Sequence, residues 1–219
     1  MAKFKDGIFG PASGSVSNLI LSHRRRKPYL KSKPDKVHNP QTQKQMASRK
    51  KLSMMARLLG TFKPFIRAGF TELPDVLSSR DVAYSANSKR IFTGEYPDIK
   101  IDYAKVLVSE GSLEPANGAG VELNGPVLTF TWDPDSHTDK PFSNHDIAMV
   151  LVYDAGADSI VYSLRASERR SVQFDFEIPT GMASSPDTLH AWISFASPDG
   201  KRVSDSVYLG LGVVSHEGE

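Results

Sequence analysis

A chain of 219 residues is long enough for one ordinary domain with an appendage, or for two small domains. It has no cysteine, so it folds without disulfides, and no run of about 18 apolar residues, which excludes a spanning helix. The net charge of +2 conceals a split: up to Phe70 there are 16 Lys/Arg against 2 Asp/Glu (+14), and from residue 71 onward 11 against 23 (−12).

The first residues, Met1 to Gly7, lack the apolar stretch of a signal peptide, so the expected location is the cytoplasm or a virion. Residues 1–14 are rich in turn formers. The β-branched and apolar run Val16–Leu21 predicts a strand, with Pro28–Lys33 as its antiparallel mate across a turn at His23–Lys27. A two-stranded ribbon alone is marginal in water, so residues 1–38 read as a basic extended arm that needs a partner surface. Its tip carries Arg24, Arg25, Arg26 and Lys27, followed by Lys31, Lys33 and Lys36.

Residues 39–98 read as helical. Asn39-Pro40 is a helix start with a mechanism, because Asn caps free N–H groups and proline at the first helical position has no N–H to lose. The helix is predicted over Gln41–Leu59, stopping at Gly60. Ala47, Lys51, Met54, Met55, Leu58, Leu59 and Phe62 form its core stripe, and Lys44, Arg49, Lys50 and Arg57 decorate other faces. Pro64, capped from Thr61, opens a short second helix ending near Gly69. Ser78 or Ser79 then caps a further segment with Asp81 in its first turn.

From Lys100 the pattern becomes β. Strands are predicted at Ile101–Val108, Val127–Trp132, Ile147–Tyr153, Ser159–Leu164, Val172–Ile178, Leu189–Ala196 and Val203–Val214, separated by turn clusters such as Asn124-Gly125-Pro126 and Pro198-Asp199-Gly200. About seven strands at this spacing imply an antiparallel sandwich over residues 99–215, of immunoglobulin or fibronectin type III kind, with Trp132 and Trp192 between its sheets. The expected fold class is therefore α+β: a basic N-terminal ribbon, short helices, then the sandwich.

Three sets of residues carry a resemblance. They are Gly10…Gly14-Ser15-Val16 with Tyr29–Pro34 and Asn39-Pro40-Gln41-Thr42…Gln45…Arg49; Thr93–Pro97 with Ile101-Asp102-Tyr103; and Asp199-Gly200-Lys201 with Ser204–Gly210. Together they are similar to an uncharacterised Bacteroidota family of unknown function, over nearly the whole chain. The N-P-x-T-x-x-Q-x-x-x-R helix start also resembles that of some small phage virion proteins. The resemblance implies an architecture and no activity. The cationic tip Arg24–Lys27 stands where such relatives more often have glycine or tryptophan.

Candidate chemistry is sparse. Asp133–Asp139 places oxygen ligands at alternate positions, but an EF-hand loop needs glycine sixth and glutamate twelfth, and Thr138 and Asn144 stand there. His137, His145 and Asp146 lie near one another without a zinc-hydrolase spacing, and there is no nucleophile elbow or phosphate-cradling loop. No enzyme activity, cofactor or metal is expected. The reading is a structural or assembly subunit whose basic arm engages the acidic sandwich of another copy. The alternatives are non-sequence-specific nucleic-acid binding through the arm and helix 40–60, and an adhesion or glycan-binding module. The residues expected to bind a partner or polyanion are Arg24, Arg25, Arg26, Lys27, Lys31, Lys33, Lys36, Lys44, Arg49, Lys50 and Arg57.

Overall fold

The computed structural model describes residues 3–4, 12–24, 27–35, 39–72, 77–134, 139–183 and 188–211. The chain mixes helices with antiparallel sheets, strands predominating, and divides into two compact units, Met1–Thr42 and Gln43–Glu219.

In the first unit, β1 (Lys3–Phe4), β2 (Ala12–Val16), β3 (Leu19–Arg24) and β4 (Lys27–Ser32) form one antiparallel sheet in chain order. The predicted strand Val16–Leu21 is in fact broken in two. Ser17 takes a left-handed φ of 51°, and with Asn18 it makes a two-residue turn between β2 and β3. Serine carries no steric licence for that conformation, so the turn left no glycine mark in the sequence.

The second unit begins with α1 (Gln43–Thr61), α2 (Lys63–Gly69) and α3 (Ser79–Asn87). Asn39-Pro40 does not start α1. Gln41 has φ 49°, which interrupts any helix there, and the first turn forms only from Gln43. Gly60 is carried inside α1, and Phe62, not Thr61, stands at the cap of α2, without a capping side chain. The start of α3 follows the sequence closely. Ser78 Oγ accepts from the Asp81 N–H while Asp81 accepts from the Ser78 N–H, a reciprocal capping box. Gly69 ends α2 where a Cβ would collide with the Val108 carbonyl, so glycine is needed for that close approach.

The β region comprises β5 (Phe92–Thr93), β6 (Lys100–Ile101), β7 (Gly120–Asn124), β8 (Val127–Thr131), β9 (Ile147–Asp154), β10 (Ser159–Ser163), β11 (Gln173–Glu177), the short α4 (Thr180–Ala183), β12 (Leu189–Ala196) and β13 (Val207–Gly210). Ile101–Val108 is not one strand. After β6 the chain turns through a 3-10 segment at Tyr103–Lys105 and runs on irregularly, with Trp192 Nε1 donating to the Val106 carbonyl at 3.0 Å. β7, which was not predicted, pairs with β8 through the Gly125 turn.

Two sheets dominate: β10-β9-β12-β13 and β11-β8-β7. The four-stranded sheet is covered on both faces. Leu151, Tyr153 and Trp192 pack with Met55, Leu58, Phe62 and Phe65 of the helical layer, and Phe62 meets the Trp192 ring edge-on at 5.5 Å. Val150, Val152, Ala191, Ile193 and Phe195 on the other face pack with Leu128, Phe130 and Trp132. This double cover explains why β9 and β12 read as nearly unbroken apolar runs. Only Trp132 sits between the two sheets; Trp192 faces the helices. Among the described residues, no helix is long and apolar enough to cross a membrane.

Candidate functional site

The first unit is a sheet without a core, for none of its described residues is buried. Residues paired across antiparallel strands share a face, so the register sorts its side chains. Gly14 and Val16 on β2 stand opposite Leu21 and Leu19 on β3, which in turn oppose Leu30 and Ser32 on β4. That face is apolar, with Val16 47%, Leu19 38% and Leu30 58% exposed. The opposite face carries Ser15, Ile20 and Lys31 in one row, Ser22 and Tyr29 in the next, and Lys27 at the tip. One face is thus apolar and the other cationic. β4 is also an edge strand, with one ladder of backbone groups unmatched by any described strand.

Lys27, Lys31 and Lys33 are exposed on this unit. Arg25, Arg26 and Lys36, together with the side chain of Arg24, lie outside the described residues. The remaining predicted cations, Lys44, Arg49, Lys50 and Arg57, sit on α1 in the second unit, where Lys50 and Arg57 engage groups of their own unit. Lys50 Nζ donates to the Pro97 carbonyl at 2.5 Å. Arg57 Nε pairs with Asp158 Oδ2 at 2.6 Å. The same carboxylate accepts from Tyr153 Oη at 3.0 Å and Thr61 Oγ1 at 3.3 Å. Burial alone would raise the Asp158 pKa, but the hydrogen bonds from Arg57 and Tyr153 outweigh it and hold the carboxyl below its usual range. Burial and the neighbouring Tyr103 push the Tyr153 hydroxyl up. Lys44 and Lys51 line a shallow groove of about 340 Å³ against Gly94, Glu95 and Tyr96, and Lys51 lies 5.7 Å from the Phe92 ring centre.

The second unit offers an opposite surface. On the outer face of β11-β8-β7, Asp175, Thr129 and Glu122 form one row, and Glu177, Val127 and Asn124 the next. Asp175 accepts from Thr129 Oγ1 at 2.9 Å and Gln173 Nε2 at 3.2 Å, and no cation stands in these two rows. Alternation along the strands, visible as the exposed positions of β7 and β11, is the signal that finds this face.

The loop 133–139 with its superficial calcium pattern lies partly outside the described residues, His137 included. His145 and Asp146, adjacent in sequence, part company. Exposed His145 faces Glu168 at 3.5 Å, whereas buried Asp146 accepts from the Ser143 N–H. Beside Asp146, Arg169 is 1% exposed; it donates to the Glu114 carbonyl and covers the Phe195 ring at 3.9 Å. Burial lowers the Arg169 pKa, with Asp146 and Glu114 opposing that shift. This is a structural brace, which sequence reading missed because a lone arginine in a loop carries no pattern.

The model of a family described as being of unknown function, DUF6266, matches residues 11–210 of the chain. No curated protein and no solved structure matches it.

Proposed function

Since the chain belongs to the DUF6266 family of unknown function, which lends it no activity, we propose from its geometry that it is a non-catalytic assembly subunit whose N-terminal sheet docks on another copy. The observation that carries this is the coreless sheet of residues 12–32, apolar on one face and lysine-bearing on the other. A sheet with an open apolar face and no buried side chain among its described residues gains stability by contact with a second surface. The apolar face gives the contact its burial; the lysine face gives it direction and salt dependence. The acidic rows of Glu122, Asp175 and Glu177 are the complementary surface on the neighbour. Sheet and acidic rows are different surfaces, so the contact is heterologous and closes into a ring or runs on as a filament. The likeness of the Asn39–Arg49 motif to small phage virion proteins agrees with a particle or virion setting, and an immunoglobulin-like reading of β7–β13 agrees with a passive building block.

A charge-swap experiment tests the reading. Lys27→Glu/Lys31→Glu should abolish low-salt oligomers in light scattering. Adding Glu122→Lys/Asp175→Lys/Glu177→Lys in the same chain should restore them. Nucleic-acid binding, the alternative, would instead appear as co-purified absorbance at 260 nm that the first pair of reversals removes.

A further inference from the structure

Apart from the N-terminal sheet, the second unit gathers cations at a place where no described residue neutralises them. Between α1, α2 and the start of α3 lies a groove of about 420 Å³, within the size range of small-molecule sites. Its floor is apolar, made by the buried side chains of Leu59 and Ile66. Its rim is cationic: Lys63 and Arg67, one turn apart on α2, and Arg80 on α3, all exposed. Among the described residues none of these three makes a side-chain hydrogen bond or ion pair, in contrast to Lys50 and Arg57 on α1.

Two features of the groove are costs that folding alone does not explain. Like charges one helical turn apart repel, and here a third cation is added while no carboxylate lines the space among the described residues. Asp81, next to Arg80 in the chain, is turned to the Ser78 amide and hydroxyl instead. The second cost is Gly60, which lines the groove from inside α1, where glycine weakens a helix. Gly69 has a steric reason, but a Cβ at Gly60 would meet nothing within 4 Å. The missing side chain at position 60 keeps the groove open.

We propose that this groove binds a phosphate monoester carrying an apolar body. Three cations on one rim match a dianionic head better than a single carboxylate, and two of them are arginines, whose planar forks bind phosphate oxygens in pairs. The apolar part of the ligand lies over Leu59 and Ile66. The capping box occupies the Ser78 and Asp81 amides at the start of α3, and the cationic side chains of the rim supply the charge that holds the head group.

The test uses the full chain and phenyl phosphate as probe, with inorganic phosphate and benzoate as comparators, read by calorimetry at fixed salt. Phenyl phosphate should bind about tenfold tighter than either comparator. Arg67→Glu/Arg80→Glu should remove the binding. Gly60→Leu, which fills the groove and leaves all three cations in place, should weaken it by about tenfold as well. Lys27→Glu/Lys31→Glu should leave it unchanged, so this site stands or falls independently of assembly. Absence of binding by the full chain, equal affinity for inorganic phosphate, or unaltered affinity in Gly60→Leu would each overturn the proposal. So would a single-stranded oligonucleotide that occupies the groove in preference to phenyl phosphate.

Discussion

The two units of this chain solve the problem of apolar surface in opposite ways. Residues 43–211 bury theirs twice, in a helix–sheet core around Phe62 and Trp192 and in a sheet–sheet core around Phe130 and Phe195. The N-terminal sheet leaves Val16, Leu19, Tyr29 and Leu30 substantially exposed and buries none of its described residues. A sequence can therefore specify strand pairing and register without specifying a core. Where it does so, the stability of the strands becomes a property of contact with something else. The charge division follows this line only in part: residues 1–42 carry nine Lys/Arg against two Asp/Glu, but seven more Lys/Arg and no acid lie on residues 43–70, whose helices belong to the unit with a core.

The sharpest way to break this comparison is truncation within each unit. Trp192→Ala removes a fully buried ring that three aromatic neighbours contact, and should cost about 3–5 kcal/mol in denaturant unfolding. Leu21→Ala in the N-terminal sheet should leave that transition where it was. A comparable loss from Leu21→Ala would mean that the sheet belongs to the cooperative core after all. Arg169→Ala should cost about 3 kcal/mol, because it strips buried Asp146 and Glu114 of their cation. A smaller loss of about 1 kcal/mol is expected for Ser78→Ala, measured as thermal stability, since the α3 cap is exposed and replaceable by water.

The smallest effect is one of pH. His190 stacks on Tyr103 at 4.1 Å and meets Tyr208 Oη at 2.9 Å, and burial lowers its pKa. The unfolded chain then binds the proton more readily than the folded one. The associated stability is complete above about pH 6.5 and declines as pH falls from there toward the folded value. His190→Gln should flatten that limb of the stability–pH curve, and an unchanged slope would assign it to another group.

Much of the second unit was legible. The Leu189–Ala196 run is interrupted only by His190 and Ser194 and holds no glycine, proline, asparagine or aspartate, and β12 occupies those residues. The Ser78–Asp81 signature is local chemistry, and it formed as read. Failures came where a backbone state was adopted by a residue that does not advertise it. Ser17 and Gln41 both take positive φ, which split one expected strand and delayed α1. β7 was hidden because glycines at 118, 120 and 125 made its surroundings look like turn, although Val121 and Leu123 alternate toward the core. The acidic rows and the Lys63–Arg67–Arg80 groove are assembled from segments distant in sequence, so no local spacing announced them.

In the proposed assembly, residues 1–42 supply the contact and residues 43–219 fold without them. Light scattering of the full chain and of a chain lacking residues 1–42, each at low and high salt, tests it most directly. The full chain should form defined oligomers that dissociate as salt rises, and the shortened chain should be a folded monomer in both conditions. A full chain that is monomeric at low salt, or a shortened chain that assembles equally well, would contradict it.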